Sequence, residues 1–506
     1  MPARVLFIAL DAAEATLFER WADEGHLPTF ARLRREGAWA RLGNSLETLP
    51  GGIWPELVSG RSVGRLGHFY HPRQIHTGET TPRRLDPEDV DSSLYWWTTA
   101  SDAGRRVAAI QQVQTILRPD LNGIQLLEWG LHDRTFVMES DPPELLEEVL
   151  ERFGEYPFYS CDDHGETPAG YDKLLDGLVT GTRLTTSLLV DLIGREDWDA
   201  FAGVFGETHC VGHQFWHFMD PGHPNHDPNA PEHLQNAIRT VYAEVDAGIA
   251  AIMEAAGPDA TTLVVATHGV GLYIGGYQLL PEVLVRLGYG SGSGTAAQIR
   301  GRLPGPVKSV LRTVTGPFRT RLQARAGSLP QPLESPDTRA IAVTNNRCGA
   351  IRLNLKGREP YGSIEPGAEE QACLEELRQE FLKLEDPDSG ERIVVRIVTA
   401  EEAFGPDHHP DIPDLMILFR DDLGPLEACR SDRVGVVRRP VYNPQIPRSG
   451  DHTVESRLWT LGPDVEPGVI EGGSVLDVAP TILDLLDVPL PDDLDGRPLL
   501  TAARAR

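Results

Sequence analysis

The sequence predicts an α/β protein with a mainly parallel central sheet. Short runs of apolar, often β-branched residues recur along the chain, and each gives way to a polar or glycine-rich loop. Such runs are typical of strands that are buried on both faces of a sheet. Segments of helical length lie between them, and an alternation of strands and helices favours a parallel sheet. Functional residues are therefore expected beyond the carboxyl ends of the strands.

The individual elements can be predicted in chain order. The first strand covers residues 5–10 and ends at Asp11, and a helical segment with a break near Gly25 follows at 15–36. Further strands are predicted at 201–205, 262–266, 393–398 and 415–419, and further helices at 237–256 and 369–384. His209 and His268 come shortly after the second and third of these strands, as Asp11 follows the first.

Composition excludes several classes of protein. Of the 506 residues, 40% are hydrophobic and 24% are charged, as in ordinary globular proteins. The formal net charge of -28 argues against nucleic acid and anionic membranes as partners. The five cysteines include no CxxC pair, which favours a reducing compartment, and no apolar run is long enough for a signal peptide or a membrane span. We therefore predict a cytoplasmic protein; a homo-oligomer is left open.

Residues 291–337 differ in composition from the rest of the chain. They are rich in proline and glycine, and between positions 300 and 325 they contain seven basic residues and no acidic one. We predict a cap or insertion at 291–337, and a catalytic core made of residues 1–290 and 338–506. The basic residues fit either a solvated loop that pairs with acidic neighbours or a cap that attracts an anionic substrate.

Histidines at metal-binding spacing follow the second strand. In GETHCVGHQFWHFMD, the residues His209, His213 and His217 are each four positions apart, so a helix would place them on one face. Two of them could hold one metal ion, with Glu207 as a further carboxylate ligand. Histidines in such a pattern also occur as packed or hydrogen-bonded residues without any metal.

Two more histidines lie near later strands. His268 follows a strand in ATHGVG, and SGDH supplies Asp451 and His452 before another apolar run. Each residue taken alone fits a structural role as well as a metal-binding one.

A hydroxyl group precedes a short helical segment in SLETLPGGIWPELVSGRS. Thr48 would lie near the exposed N–H groups and the positive end of the helix dipole, which suits a nucleophile that attacks phosphate. An ordinary threonine helix cap explains the same pattern.

Taken in order, these segments resemble the alkaline phosphatase superfamily, in its type I phosphodiesterase and nucleotide pyrophosphatase branch. The matching segments are FIALDAA, LETLPGGIWPELVSGRS, GETHCVGHQFWHFMD, VVATHGVG and SGDH, with LNLKGREPYG and LDVAPTILDLLDVPLPDDLDGRPL as further landmarks. The resemblance implies an alkaline phosphatase-like three-layer αβα sandwich with a cap insertion. It also implies hydrolysis of a small anionic phosphoester: a phosphodiester, a nucleotide pyrophosphate or a phosphomonoester.

The resemblance assigns roles to individual residues. The family binds two adjacent metal ions, usually zinc, and uses a serine or threonine nucleophile. Asp11 matches the aspartate ligand after the first strand, and Thr48 matches the nucleophile. His213, His268 and His452 match three histidine ligands of the family. One or two Zn²⁺ ions are therefore expected, with Mn²⁺ or iron as alternatives, since imidazole suits several metals.

Two positions depart from the family pattern. His209 and Thr267 stand where the family has aspartates, and Pro50 stands four residues before Trp54, where the family usually has its threonine. His209, His213 and His452 would form a three-imidazole zinc site with an open position, and Thr267 would be a weak ligand beside Asp11 and His268. The loss of two carboxylates favours a more anionic substrate such as a phosphomonoester. It is also compatible with a phosphoryl-transfer or mutase-type enzyme, or with a catalytically impaired binding protein.

Overall fold

The computed structural model describes residues 3–44, 52–70, 74–130, 134–158, 160, 167–290, 333–345, 347–439, 448–463 and 465–500. The described residues group into two compact units. Unit 1 lies within Met1–Leu66, Leu85–Tyr273 and Pro447–Arg506, and unit 2 lies within Gly67–Arg84 and Ile274–Ile446.

The strands and helices are as follows. The strands are β1 (Ala3–Leu10), β2 (Ala38–Gly43), β3 (Val107–Ile110), β4 (Gly123–Leu127), β5 (Glu139–Asp141), β6 (Trp198–Phe205), β7 (Thr261–Ala266), β8 (Gly269–Leu272), β9 (Ala340–Thr344), β10 (Gly349–Leu353), β11 (Val394–Thr399), β12 (Leu415–Phe419), β13 (Ala428–Ser431), β14 (Gly435–Arg438), β15 (Gly450–Thr453), β16 (Ser456–Leu461) and β17 (Gly468–Ser474). The α-helices are α1 (Ala15–Asp23), α2 (Pro28–Glu36), α3 (Ile53–Ser59), α4 (Val63–Leu66), α5 (Trp96–Asp102), α6 (Pro143–Phe153), α7 (Pro168–Ile193), α8 (Glu207–Met219), α9 (Glu232–Gln235), α10 (Ala237–Ala256), α11 (Leu280–Leu287), α12 (Ala368–Phe381), α13 (Ala400–Phe404) and α14 (Val478–Leu485).

Unit 1 is built on a nine-stranded sheet in the order β17-β2-β16-β7-β1-β6-β3-β4-β5. The central strands β7, β1, β6, β3 and β4 are parallel to their neighbours in this set, whereas β16 pairs antiparallel with β7 and with β2. The predicted α/β fold with a mainly parallel sheet is confirmed. The first three predicted strands all lie in the centre of this sheet.

The sheet is buried on both faces because its central strands are apolar on both sides. In β1, the side chains of Leu6, Ile8 and Leu10 belong to one hydrophobic cluster, and those of Val5, Phe7 and Ala9 belong to another. The first cluster includes residues of α1, α2, α7, α8 and α10, and the second includes residues of α3, α5 and α14. Helices thus cover both faces, which gives the predicted three layers.

Unit 2 has its own sheet and core. Four strands pair in the order β11-β12-β10-β9, and each neighbouring pair is antiparallel. The segments at 393–398 and 415–419 are therefore strands, as predicted, but they belong to this separate antiparallel sheet. An apolar run shows that a strand is buried and not which strand it pairs with, so the sequence could not separate the two cases.

A short antiparallel pair joins two distant parts of unit 1. Strand β8 follows His268 directly, and β15 carries Asp451 and His452. In their pairing Val270 lies opposite His452. Residues 450–452 of SGDH thus belong to a short strand.

The two further landmarks of the sequence, LNLKGREPYG and LDVAPTILDLLDVPLPDDLDGRPL, contain residues that form ion pairs within the fold. In unit 1, the guanidinium of Arg61 forms two hydrogen bonds with the Asp493 carboxylate, at 2.8 and 2.6 Å. In unit 2, Arg358 pairs with the buried Asp414 through bonds of 2.7 and 2.8 Å. Paired and hydrogen-bonded charges of this kind fix the local backbone.

The segment predicted to be a cap falls almost entirely outside the described residues. Of residues 291–337, only 333–337 are described, so the boundaries of core and cap stay predictions. Among the described helices, none combines the length and apolar character that a crossing of the bilayer requires.

Candidate metal centre

Side chains that the sequence predicts to be functional lie at the carboxyl ends of three adjacent strands of unit 1. Asp11 follows β1, and Thr267 and His268 follow β7. Strand β6 ends at Phe205 and leads through Gly206 into α8, which carries His209 and His213. Because β7, β1 and β6 are neighbours in the sheet, their loops meet at one edge. The sheet topology therefore explains why these residues lie close together.

Three imidazole rings converge in this region. The Nε2 atom of His213 lies 3.2 Å from Nε2 of His209 and 3.2 Å from Nε2 of His452. One ligand atom from each of the three residues lies within 4.8 Å of the others, and all three side chains are buried. The helical spacing of four residues supplies the first two histidines, and β15 supplies the third.

The donor set fits a tetrahedral metal ion. Two nitrogens bound to one tetrahedral zinc ion at about 2.0–2.1 Å are about 3.3 Å apart, close to the observed spacing. The Nδ1 atom of His213 lies 2.6 Å from the carbonyl oxygen of Gly450. Since a carbonyl can only accept, Nδ1 carries the proton, and a neutral His213 then presents a lone pair at Nε2. A histidine ligand held in this way has its ring orientation fixed by its second nitrogen.

The segment around Ser449 connects His452 to helix α8. The Ser449 N–H donates to the carbonyl oxygen of His213 at 2.8 Å, and the His217 N–H donates to the Ser449 hydroxyl at 3.2 Å. His223 lies 3.2 Å from the Ser449 carbonyl oxygen through Nε2, and its Nδ1 accepts the N–H of Asn225 at 3.0 Å. These bonds attach the start of β15 to the helix that carries the other two histidines.

Asp11 and His268 form the adjoining half of the centre. The ring centroids of His268 and His452 are 4.5 Å apart, so this half lies directly beside the three-histidine cluster. Burial lowers the pKa of His268 to about 4, and the negative charge of Asp11 partly opposes that shift. His268 is therefore neutral at pH 7 and able to bind a metal. Its Nε2 atom is buried and makes no hydrogen bond within the described part of the chain.

The Asp11 carboxylate is held by a residue of α3. The indole N–H of Trp54 donates to Oδ1 of Asp11 at 3.0 Å, and Trp54 is 2% exposed. Both backbone groups of Asp11 are also hydrogen-bonded. Its N–H donates to the carbonyl oxygen of Phe205, and its own carbonyl oxygen accepts a hydrogen bond from the hydroxyl of Thr208. The orientation of Asp11 is thus determined by three separate elements.

The hydroxyl of Thr267 faces the end of β1. It lies 3.1 Å from the carbonyl oxygen of Leu10, 3.3 Å from the nitrogen of Ala12 and 3.1 Å from Nδ1 of His268. The side chain is fully buried. The predicted ligand Thr267 is therefore in contact with the centre, through His268.

The predicted nucleophile Thr48 lies outside the described residues. The structure describes the chain again from Gly52, and α3 begins at Ile53. The contact between Trp54 and Asp11 brings the first turn of α3 next to the centre.

Two residues considered in the sequence analysis lie away from the cluster. The His217 ring packs against Phe218 and Tyr171, at centroid distances of 3.9 and 5.7 Å, and is not part of the three-histidine group. The carboxylate of Glu207 accepts hydrogen bonds from the hydroxyls of Tyr156 and Thr185 in the interior. Burial raises the pKa of Glu207 to about 7. Equal spacing in sequence could not show which histidines share a face with His452.

Sequence analysis missed the groups that orient the ligands: Trp54, Ser449, His223 and the carbonyl of Gly450. Among these groups, only Trp54 could have been suspected from sequence, because the N–H of a buried indole usually donates to a hydrogen-bond partner. That rule does not identify the partner, which depends on the packing of α3 against the end of β1.

Comparison with known proteins identifies the family of the chain. A family model described as type I phosphodiesterase / nucleotide pyrophosphatase matches residues 5–433. No curated protein matches the chain significantly.

Several solved structures are similar in fold. Wild-type alkaline phosphatase PafA is 12% identical, with a TM-score of 0.52 and 98% of each chain covered. Phosphonoacetate hydrolase from Sinorhizobium meliloti 1021, in complex with phosphonoformate, is 13% identical, with a TM-score of 0.50 and 96% of each chain covered. Murine ectonucleotide pyrophosphatase/phosphodiesterase 5, in complex with AMP, is 11% identical, with a TM-score of 0.48 and 97% of this chain and 96% of that chain covered. The first two likenesses confirm the predicted alkaline phosphatase-like fold.

Proposed function

The chain belongs to the type I phosphodiesterase / nucleotide pyrophosphatase family, and from this premise we propose that it is a metal-dependent hydrolase of small anionic phosphoesters. The observation that supports the metal dependence is that Nε2 of His213 lies 3.2 Å from Nε2 of His209 and 3.2 Å from Nε2 of His452, which comes from a distant segment. Nitrogen atoms with lone pairs directed at one point repel each other unless a cation or a proton lies between them.

The residues would divide between two neighbouring ions. His209, His213 and His452 would hold the first, and Asp11 and His268, with Thr267 beside them, would hold the second. Zinc is the proposed metal, although manganese or iron also accepts imidazole ligands. When bound, such ions act as Lewis acids that lower the pKa of a hydroxyl or water and neutralise phosphate oxygens.

Thr48 is proposed as the nucleophile. Its hydroxyl loses a proton, and the oxygen attacks phosphorus in line with the leaving group. The new O–P bond forms as the ester O–P bond breaks, and water relays the proton lost by the Thr48 hydroxyl to the leaving oxygen. Water then attacks the phosphothreonine, which releases the phosphate product and regenerates the Thr48 hydroxyl. The buried walls around Asp11 and His268 would keep other water away from the reacting atoms.

The charge of the centre favours a substrate with more negative charge. Because His209 and Thr267 stand where the family pattern has aspartates, Asp11 is the one carboxylate among the proposed ligands. A phosphomonoester carries about one more negative charge than a diester near pH 7. We therefore propose that monoesters are preferred over diesters. A reducing, cytoplasmic location is proposed as well, because the four cysteines that the structure describes form no disulfide.

The test uses the purified full chain, freed of metal and reconstituted with Zn²⁺. Turnover of p-nitrophenyl phosphate and of bis-p-nitrophenyl phosphate is compared for the parent, Thr48→Ala and His213→Ala. Thr240→Ala is the matched control, because Thr240 lies on the exposed side of α10, where its hydroxyl donates to the backbone carbonyl of Asn236, the residue before the helix. We expect a loss of at least about a thousandfold for Thr48→Ala, as for other removed nucleophiles, and no change for the control.

Other outcomes favour the alternatives. Full activity of Thr48→Ala would exclude the proposed nucleophile. Zinc binding without turnover of either ester would indicate a catalytically impaired binding protein. Reaction in ¹⁸O-labelled water separates hydrolysis, which places label in the phosphate, from phosphoryl transfer to an acceptor, which does not.

A further inference from the structure

Thr267 makes full use of its hydrogen-bonding capacity inside the protein. A threonine hydroxyl has one proton to donate and two lone pairs that accept. The carbonyl of Leu10, 3.1 Å away, can only accept, so it receives the hydroxyl proton. The N–H of Ala12 donates to the same oxygen at 3.3 Å. One acceptor position remains, and the Nδ1 atom of His268 lies 3.1 Å from it.

This arrangement determines the tautomer of His268. Because the Thr267 hydroxyl donates its proton to the Leu10 carbonyl oxygen, it can only accept from His268. Nδ1 of His268 therefore carries a proton and donates it to the Thr267 oxygen. In a neutral ring, Nε2 then has a free lone pair. Nε2 is also the atom that is buried without a hydrogen-bond partner in the described part of the chain. The ring is therefore oriented with its metal-binding nitrogen away from Thr267.

Thr267 also stabilises the turn that contains Asp11. Leu10 and Ala12, its two backbone partners, are the residues on either side of Asp11. Ala12 has a φ angle of 46°, in the left-handed region that residues other than glycine rarely adopt. A bond from the Ala12 N–H to the Thr267 hydroxyl helps to offset that strain. One hydroxyl thus holds the backbone around Asp11 and the ring of His268.

We propose that Thr267 is a positioning residue that orients Asp11 and His268, and that, among the residues that the structure describes, these two are the only protein ligands in their half of the centre. The proposal rests on the proposed function, since it assumes that this half receives a metal ion. It differs from the expectation that Thr267 is itself a ligand, because all three hydrogen-bonding positions of its hydroxyl are already used. A half-site with two ligands binds its ion more weakly than the three-histidine site.

The first experiment examines the metal-free protein. Histidine is labelled with ¹⁵N, and the resonances of His268 are assigned by their loss in His268→Gln. We expect His268 to carry its proton on Nδ1 in the parent protein, and to lose that preference in Thr267→Val, which keeps the β-branched shape without the hydroxyl. A proton on Nε2 in the parent would overturn the proposal. The result does not depend on whether the protein is a phosphatase.

The second experiment titrates metal-free protein with Zn²⁺ by calorimetry. We expect Thr267→Val to reduce the affinity for Zn²⁺ at the weaker site by 10- to 100-fold, the usual range for a residue that orients a ligand. The affinity at the stronger site should not change. Thr267→Ser keeps the hydroxyl and is expected to restore binding to within about threefold. Thr460→Val is the matched control, since Thr460 on β16 is equally buried and its hydroxyl has no hydrogen-bond partner within the described residues.

Proton release separates positioning from direct ligation. If Thr267 bound the ion as an alkoxide, zinc binding would release one proton from the parent and not from Thr267→Val. Equal proton release from both supports the positioning role, and a difference of one proton overturns it. Unchanged affinity for both ions in Thr267→Val would also overturn it. If both zinc sites behave as expected but no ester is turned over, the proposed activity fails and the role of Thr267 stands.

Discussion

The indole N–H of Trp54 donates a hydrogen bond of 3.0 Å to Oδ1 of Asp11, and so connects the first turn of α3 with the end of β1. Asp11 therefore has one oxygen engaged by a neutral donor, and no hydrogen bond from the described residues engages its second oxygen, which is the one we expect to bind the proposed metal. A buried N–H bonded to a charged acceptor contributes more than a neutral pair does.

Trp54→Phe should reduce activity without unfolding the protein. Phenylalanine keeps the aromatic packing and removes the N–H, so Asp11 gains rotational freedom. We expect zinc affinity in the Asp11 half to fall by 10- to 100-fold, the range typical of outer-shell partners. Calorimetry and turnover of p-nitrophenyl phosphate measure the effect. Trp96→Phe is the control, because Trp96 is equally buried in the same cluster and its indole nitrogen has no hydrogen-bond partner among the described residues. Equal losses in the two variants would refute the role of the bond.

His209→Asp should change the substrate preference. Aspartate can still bind a metal, but it adds one negative charge beside the substrate. One unit of charge at about 5 Å, with an effective dielectric constant of about 20, is worth about 3 kcal/mol. We therefore expect kcat/KM for the monoester to fall at least about tenfold relative to the diester. Arg35→Gln makes the same charge change at an exposed site and should leave the ratio unaltered. An unchanged ratio in His209→Asp would contradict the charge argument.

Removal of metal should lower thermal stability. An ion that binds the folded state alone and is present at about a thousand times its Kd stabilises that state by about 4 kcal/mol. A chelator is therefore expected to lower Tm by several degrees, and added Zn²⁺ to restore it. The shift should be smaller in His452→Ala, which lacks one of the three imidazoles of the first site. It should persist in His233→Ala, because His233 is exposed on the surface. A parent protein whose Tm ignores the chelator would argue against a resident metal.

His223 should make stability depend on pH. Burial lowers its pKa, an effect opposed by the Ser449 carbonyl and by Asp220 and increased by His226. Because the folded pKa lies below the unfolded value of about 6.5, protons bind preferentially to the unfolded chain. The contribution of neutral His223 to the stability of the folded state is therefore fully present above pH 6.5, and it decreases as the pH falls below that value.

His223→Gln removes this titration and can still donate to Ser449. We expect Tm to fall less between pH 7.5 and 5.5 in this variant than in the parent protein. His26→Gln, a change at an exposed histidine, is the matched control and should follow the parent. A parallel decline in all three proteins would show that His223 does not contribute.

Much of the fold could be predicted from sequence because its signals are local. Residues 5–10 are apolar on both faces of a strand, and the helix predicted at 237–256 forms over that range. The predicted metal-site residues follow the carboxyl ends of strands. In a parallel sheet those ends lie at one edge, so residues that are distant in sequence are close in space. His213, His268 and His452 could be proposed on that basis together with the family resemblance.

The remaining features depend on tertiary packing. His209 and His217 have equivalent spacing from His213, yet only His209 faces His452. Glu207 turns into the interior because α7 and the loop before it offer two hydroxyl donors. No periodicity in the sequence indicates which side of α8 will meet β15. For the same reason, the bonds of Trp54 to Asp11 and of Thr267 to His268 could not be anticipated.

The two histidines whose Nε2 atoms lie 3.2 Å apart across α8 and β15 are 239 positions apart in the chain. During synthesis on the ribosome, α8 and most of the sheet can emerge long before β15 is made. The nascent chain then has two imidazoles on a helix and no third one to complete the set. The proposed three-imidazole site is therefore complete only after β15 has been made, and a chain that terminates before β15 would have His209 and His213 without His452.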